Sequence, residues 1–226
     1  MKTRVVLEVA PKRAFASALG WPGWSRGART ADTALDALVA YGPRYAKVAK
    51  RARVAFSAPP DASVLEIVER LKGGSGTEFG VPGASAKGEA KPVTPAELER
   101  LVALLRASWA AFDAAHGRAV GVELTTGPRG GGRELEKIVG HVREAEAAYL
   151  GQLGSRPPNA ADEDPEKPMA LLRTALVSAL EDAAAGRPFA NPRNTKRPWS
   201  VSYTIRRAAW HVLDHAWEIE DRSAGA

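Results

Sequence analysis

The sequence predicts an α+β protein, in which a small β-β-β-α domain at residues 1–90 precedes an all-α four-helix bundle at residues 94–222. The first part combines β-branched and small residues with Pro and Gly turns, a pattern typical of short strands. In the second part, apolar residues recur every three or four positions, which indicates amphipathic helices. The two parts also differ in net charge. Residues 1–90 carry 14 Lys and Arg against 8 Asp and Glu, whereas the remainder carries equal numbers of basic and acidic residues.

Composition narrows the functional classes. The chain has 226 residues, a formal net charge of +6 and no cysteine, which excludes disulfides, thiolate metal sites and a cysteine nucleophile. No apolar run approaches the roughly twenty residues of a membrane span, and the N-terminus lacks the apolar core of a signal peptide. We therefore expect a cytoplasmic protein without a membrane partner. The basic first part is typical of a solvated surface, and an anionic partner is the alternative.

The N-terminal part begins with two predicted strands. Residues 3–9 are rich in β-branched side chains, and Arg13–Leu19 leads into a Pro/Gly turn. A helix is expected from Thr30, whose hydroxyl can cap the first turn, and Gly42-Pro43 is expected to end or kink that helix. Residues 63–71 fit either a strand with alternating faces or a short helix.

The segment from Leu19 to Tyr41 resembles the small β-β-β-α module of HicB-like antitoxins. In that family a strand ends in a Pro-Gly turn, a short strand follows, and a Thr-x-x-x-Ala-Leu helix packs across the sheet. The matching residues here are Pro22-Gly23, Gly27, Thr30 and Ala34-Leu35. The resemblance implies a fold and carries over no toxin binding.

Four amphipathic helices are predicted after the Gly-, Ala-, Pro- and Lys-rich tract 72–93, whose end is the expected interdomain linker. The run Thr94-Pro95-Ala96-Glu97 is a typical helix start, with a capping threonine, a proline and an acid in the first turn. Helices of this length predict an antiparallel or near-antiparallel bundle that buries one apolar stripe from each. The four helices are expected to run from Thr94 to His116, from Arg133 to Leu153, from Met169 to Ala184 and from Ser200 to Arg222.

Three of the four histidines lie on helices of the same predicted bundle, which can bring them together. His211 and His215 are four residues apart in the last predicted helix, so one turn projects both imidazoles to the same side. His141 borders the apolar stripe of the second helix. Three imidazoles in an apolar cavity are costly unless they are satisfied, and a first-row divalent ion, zinc or nickel, satisfies them while leaving a ligand position open. Histidines hydrogen-bonded to their neighbours, without a metal, are the alternative.

The last helix from Arg207 to Arg222, together with Ile138–Leu150, resembles the DinB superfamily of four-helix bundles. That family carries one histidine on its second helix and a His-x-x-x-His pair on its fourth, and these bind a divalent metal. His141, His211 and His215 match those positions. The resemblance therefore implies a bundle of DinB type. Members with known chemistry include transferases and isomerases that use low-molecular-weight thiols such as bacillithiol or mycothiol, so the resemblance also implies such a thiol as a further cofactor.

Three carboxylates are the candidate catalytic residues. Asp214, Glu218 and Glu144 each follow one of the three histidines by three residues. A carboxylate that accepts a ring N–H fixes the tautomer that binds metal. Salt bridges to neighbouring arginines are the alternative for each. His116, at the end of the first bundle helix, is left out of the site because a cation is favourable there.

Basic residues before the second and fourth bundle helices are candidates for cofactor binding. Arg129 and Arg133 lie in and directly after a Gly-rich loop, where free backbone N–H groups attract anions, and Arg193 and Arg197 precede the last helix. No Gly-Lys-Ser/Thr follows the Gly run, so it is not a Walker sequence. Flexible, solvated connections are the alternative interpretation.

These observations predict a metal-dependent protein whose three-histidine site activates a thiol or water against a small-molecule substrate, as a thiol transferase, an isomerase or a hydrolase. The alternative is a non-enzymatic binding module, with a structural metal and a basic N-terminal domain that contacts protein or nucleic acid. Nucleic acid is the less favoured partner, because the sequence contains no recognised reading helix or aromatic RNA platform. A homodimer is left open.

Overall fold

The computed structural model describes residues 2–126, 132–156, 167–187 and 198–223. Within these ranges the chain forms one four-stranded sheet and seven α-helices, so the predicted α+β class is confirmed. The elements follow the order β-β-β-α-α-β and then five further helices. Because the first of these further helices lies at Ser75–Phe79, residues 1–90 contain one strand and two helices more than the expected β-β-β-α.

The strands of the sheet lie in the order β3-β2-β1-β4. β2 pairs antiparallel with β1 and β3, whereas β4 pairs parallel with β1. The strands expected at residues 3–9 and within 13–19 are confirmed, and residues 63–71 form mainly a strand, preceded by a 3-10 turn at Ala62–Val64. The bounds of the four strands are β1, Thr3–Val9; β2, Ala14–Ala18; β3, Ser25–Ala28; and β4, Leu65–Lys72.

Two short helices pack against the sheet. α1 (Ala31–Ala40) begins after Thr30, as predicted, and the hydroxyls of Thr30 and Thr33 each accept a hydrogen bond from the other residue's backbone N–H. A separate helix, α2 (Gly42–Arg51), starts directly afterwards, with Pro43 in its first turn. A proline costs little there, because first-turn N–H groups have no partner within the helix. Gly42-Pro43 therefore ends the first helix and begins the next.

The tract between β4 and the long helices follows an ordered path. It contains α3 (Ser75–Phe79) and a 3-10 turn (Lys87–Ala90). The buried carboxylate of Glu8 accepts hydrogen bonds from the Thr77 hydroxyl and from two backbone N–H groups later in the tract. Glu89, in the 3-10 turn, forms a buried ion pair with an arginine of the last helix. These contacts hold both ends of the tract against the rest of the fold. The division of the chain into two domains at residues 90–94 stays a prediction.

Four long helices follow and share an apolar core. Thr94 caps the first of them by accepting a hydrogen bond from the Glu97 N–H, as its sequence predicts. The expected helices are all present, and their bounds differ from the expected ones by at most three residues because helix ends depend on local capping. The four helices are α4, Pro95–Ala119; α5, Leu135–Gln152; α6, Lys167–Ala184; and α7, Val201–Ser223.

Two apolar cores meet along α4 and α7. One lies among the four long helices, where Leu176 and Val212 are fully buried. The other lies between the sheet and the short helices, and Leu104 of α4 and Leu213 and Trp217 of α7 complete it. Because α7 contributes to both cores, most of its residues are buried, and its polar side chains lie in protected surroundings.

Candidate metal centre

The three predicted histidines converge between α5 and α7. His141 lies in the first half of α5, and His211 and His215 occupy successive turns of α7. One nitrogen from each ring lies within 4.8 Å of the other two. The spacing of four residues aligns the two rings of α7 on one side, and the packing of α5 against α7 adds the third. The sequence identified these three residues, and the structure brings them together.

The spacing of the rings fits a shared divalent ion. The Nε2 atoms of His141 and His211 lie 3.1 Å apart. For comparison, bonds of about 2.0–2.1 Å at tetrahedral angles place two ligand nitrogens roughly 3.4 Å apart. The ring centroids are 4.7 to 5.1 Å apart, and the rings meet edge to face.

Burial favours the neutral form of two of the rings. His211 is 8% exposed, and burial, followed by the nearby His215 and His141, lowers its pKa well below the ordinary value. Burial is also the main cause that lowers the pKa of His141, with the charge of Arg133 next. A neutral imidazole has a free lone pair for a metal, so both rings are ready to act as ligands near neutral pH.

Glu218 holds the third ring in a defined orientation. The Nδ1–H of His215 donates to a Glu218 oxygen at 2.7 Å, which leaves Nε2 directed away from the carboxylate. Arg222 donates to the other Glu218 oxygen at 3.0 Å and to the backbone oxygens of Thr125 and Arg133. Burial alone would raise the pKa of Glu218, but the hydrogen bond from His215 and the nearby charges outweigh it and lower that pKa. The carboxylate therefore stays ionised and fixes the ring tautomer.

The other two candidate carboxylates lie elsewhere. Asp214 accepts a hydrogen bond from Arg26 of β3 at 2.9 Å, an ion pair between α7 and the sheet. Glu144 is exposed, and it acts on His141 only through its charge, which opposes the lowering of that histidine's pKa. Glu218 is therefore the only one of the three candidate carboxylates with a hydrogen bond to one of the three histidines. Glu218 also forms a salt bridge with Arg222, which is the alternative role that the sequence left open for it.

One of the four candidate cofactor-binding arginines can be placed. Arg133 is exposed just before α5, and its charge lowers the pKa of both His141 and His211. Arg129, Arg193 and Arg197 lie outside the described residues. His116 faces Glu136 at 3.6 Å in the last turns of α4, and it is not part of the three-histidine group.

Sequence reasoning gave no individual role to the residues that surround the cluster. Thr125 accepts from Arg222, and Tyr149 lies 6.0 Å from His211 between ring centroids. Arg207 lies one turn before His211 and contacts Trp210. The spacing of three residues between Arg207 and Trp210 could have indicated their contact. Thr125 and Tyr149 reach the cluster from distant parts of the chain, so no local spacing indicates their contacts.

Comparisons of this chain with protein-family models, with curated proteins and with solved structures found no match. Among the described helices, none is both long and apolar enough for a bilayer crossing. The resemblances to the DinB superfamily and to HicB-like modules therefore stay predictions from sequence.

Proposed function

We propose that this chain is a DinB-type metal-dependent enzyme that uses His141, His211 and His215 to hold a divalent ion, zinc or nickel. The reaction is the activation of a thiol or water against a small-molecule substrate, as in a thiol transferase, an isomerase or a hydrolase. The observation that carries the proposal is the convergence of three histidine nitrogens within 4.8 Å. Three protein ligands leave a position for a substrate or water, which is the arrangement of catalytic zinc sites.

The donor set supports an ion of this kind. Imidazole nitrogens suit zinc and nickel, whereas magnesium and calcium prefer oxygen ligands. When bound, such an ion supplies a Lewis acid that lowers the pKa of a thiol or water. A chain without cysteine needs its thiol from a second molecule, which agrees with use of mycothiol or bacillithiol.

The residues of the chain have separate tasks in this proposal. His215 is oriented by Glu218, and Arg222 fixes Glu218 through a second oxygen. Burial keeps His211 neutral by lowering its pKa. The contacts of Glu218 and Arg222 hold the His215 ring in one orientation before an ion arrives, so little reorganisation of this ring is needed on binding.

Metal analysis of protein purified without a histidine tag tests the proposal. We expect about one zinc or nickel ion per chain after incubation with the metal, and strong loss of binding in His141→Ala and His211→Ala. His116→Ala is the matched control, because that histidine lies outside the cluster. A wild-type protein that stays metal-free after incubation contradicts the proposal.

The same variants separate a catalytic metal from a structural one. Structural zinc sites contribute directly to folding, whereas an open site can lose its ion without unfolding. We expect His141→Ala to keep the helical circular dichroism and cooperative unfolding of the wild type. Unfolding of this variant, or of the wild type in a chelator, would instead favour the non-enzymatic alternative with a structural metal.

A further inference from the structure

Arg207 is a buried arginine beside the three-histidine cluster that forms no ion pair with any described carboxylate. It lies on α7 one turn before His211, and 6% of its surface is exposed. Arg206 and Arg222, the other buried arginines of α7, each form an ion pair with a glutamate. Burial of an unpaired guanidinium is costly, so an anion at this place would be favoured.

Most of the hydrogen-bonding capacity of Arg207 is unused. Its Nη1 donates to the backbone oxygen of Pro82 at 3.2 Å. Its Nε is buried and has no hydrogen-bond partner in the described part of the chain. Its Nη2 also donates to no described group, but this nitrogen is not sealed from solvent. Nη2 is therefore a guanidinium nitrogen with free N–H groups that a carboxylate can reach and bind through a charge-assisted hydrogen bond.

Aromatic rings connect Arg207 to the cluster. The guanidinium carbon lies 4.9 Å from the ring centre of Trp210 and 5.8 Å from that of Tyr149. The Tyr149 ring lies 6.0 Å from the His211 ring and 5.6 Å from that of Trp199. The charge of Arg207 reaches the cluster, because it is one of the causes, after burial and the other two histidines, that lower the pKa of His211. The arginine and the ligand nitrogens therefore share one aromatic-lined region.

We propose that Arg207 binds the carboxylate of a small molecule whose reacting end reaches the three histidines. This inference rests on the proposed function, since it assigns a substrate class to the same site. Four residues of α7, about 6 Å at a rise of about 1.5 Å per residue, separate Arg207 from His211 along the helix axis. The ligand is therefore short, with a few carbon atoms between its carboxylate and its reacting atom.

Two small thiols that differ in charge test the proposal on the full chain loaded with cobalt. We expect 3-mercaptopropionate to bind roughly tenfold more tightly than 2-mercaptoethanol, compared at equal thiolate concentration, because only the acid gains the charge-assisted bonds. Binding is read from the sulfur-to-cobalt absorption band. In Arg207→Gln the preference should disappear while the affinity for 2-mercaptoethanol stays within about twofold. Arg207→Lys should keep part of the preference, because lysine keeps the positive charge but lacks the planar guanidinium group.

Arg100→Gln is the matched control for these variants. Arg100 also donates to a backbone oxygen and lies over a tryptophan ring, 4.5 Å from the centre of Trp21, but it is remote from the cluster. Its substitution should leave the preference for the acid unchanged. Loss of the preference in this control as well would mean that a general loss of positive charge, and not Arg207, explains the result.

The outcomes distinguish this inference from the proposed function. A wild-type protein that takes up neither zinc, nickel nor cobalt contradicts the proposed function, and the inference falls with it. If the protein takes up cobalt but binds the two thiols equally well, or binds neither, the role of Arg207 is contradicted and the metal site is not. A preference that survives in Arg207→Gln contradicts that role too. Equal affinity of the wild type for the two thiols contradicts the inference even where a variant fails to fold.

Discussion

Glu218 and Glu144 stand at the same spacing from a histidine but in different surroundings. Glu218 accepts the Nδ1–H of His215, whereas Glu144 is exposed and has no hydrogen bond to His141 among the described contacts. The pair therefore allows the effect of the hydrogen bond to be separated from the effect of a nearby negative charge.

We expect Glu218→Gln to weaken divalent metal binding by roughly 10- to 100-fold, because the neutral amide holds the tautomer of His215 less firmly. Competition with a chromophoric zinc chelator measures the affinity. Glu144→Gln serves as the control and should change the affinity by less than about threefold, since only a solvated charge is removed. Equal losses in the two variants would show that the orienting hydrogen bond has no special effect.

Glu146 is a buried carboxyl group whose titration can be measured through its effect on the stability of the fold. It lies in the core of the long helices at 1% exposure, with Arg173 Nε 3.5 Å from its carboxylate. Burial raises the pKa of Glu146 from 4.5 to about 7, although the charge of Arg173 acts in the opposite direction. The folded protein therefore binds more protons than the unfolded chain between these values, and the free energy of unfolding falls as pH rises through this window.

We expect Glu146→Gln to gain stability relative to the wild type as pH rises from about 4.5 to 8, because the glutamine never carries a buried charge. The difference should grow by roughly 1–3 kcal/mol over this range. Urea unfolding of both proteins at each pH measures it, and all other titrating groups cancel in the comparison. A difference that is the same at both pH values would mean that Glu146 titrates normally in the folded protein.

At the scale of elements, the turn between β2 and β3 docks directly on α7. Gly23 lies in this turn with a φ of +92°, and a Cβ built there would lie 2.5 Å from a Leu213 methyl and 3.2 Å from the Ala209 backbone oxygen. The close approach of turn and helix thus needs a residue without a side chain. Gly20, nearby, has a φ of +78° but open space around it.

We expect Gly23→Ala to destabilise the fold by several kcal/mol, because it combines a left-handed backbone with a clash against the buried Leu213 side chain and a tight contact with the Ala209 backbone. Gly20→Ala carries only the backbone cost, about 1–2 kcal/mol. Thermal or urea unfolding measures both. Similar losses in the two variants would argue against close packing of the turn on α7.

At the scale of the whole molecule, α7 joins the sheet to the other long helices. Leu213 is fully buried in the core between the sheet and the short helices, while Val212 beside it is fully buried among the long helices. Both cores include residues of the same unbroken helix, α7, so unfolding of one core would expose an apolar face of the other. This continuity favours unfolding as a single unit.

Leu213→Ala should lower the free energy of unfolding by about 2–5 kcal/mol and should shift the whole transition. We expect tryptophan fluorescence and far-ultraviolet circular dichroism to report one coincident midpoint in both proteins. Leu171→Ala, at a position of α6 that is 46% exposed, is the control and should cost less than about 0.5 kcal/mol. Separate midpoints for the two signals would indicate that the sheet and the helices unfold independently.

The sequence by itself determined the local elements and singled out the three histidines that cluster. The helices α4 to α7 have strong periodicity, and Thr30 and Thr94 have caps that depend only on neighbouring residues. The three histidines could be selected because α-helical geometry fixes which side chains share a face. The short strand β4 stayed ambiguous, since a run of this length fits two periodicities until its pairing with β1 is known.

Only the tertiary structure decided which charged groups act together. Asp214 and Glu218 have equivalent positions in sequence, yet one pairs with Arg26 of the sheet and the other with His215. The aromatic and guanidinium groups near His211 likewise come from separate helices. Such contacts depend on how the elements pack, and packing is a property of distant residues that no local spacing records.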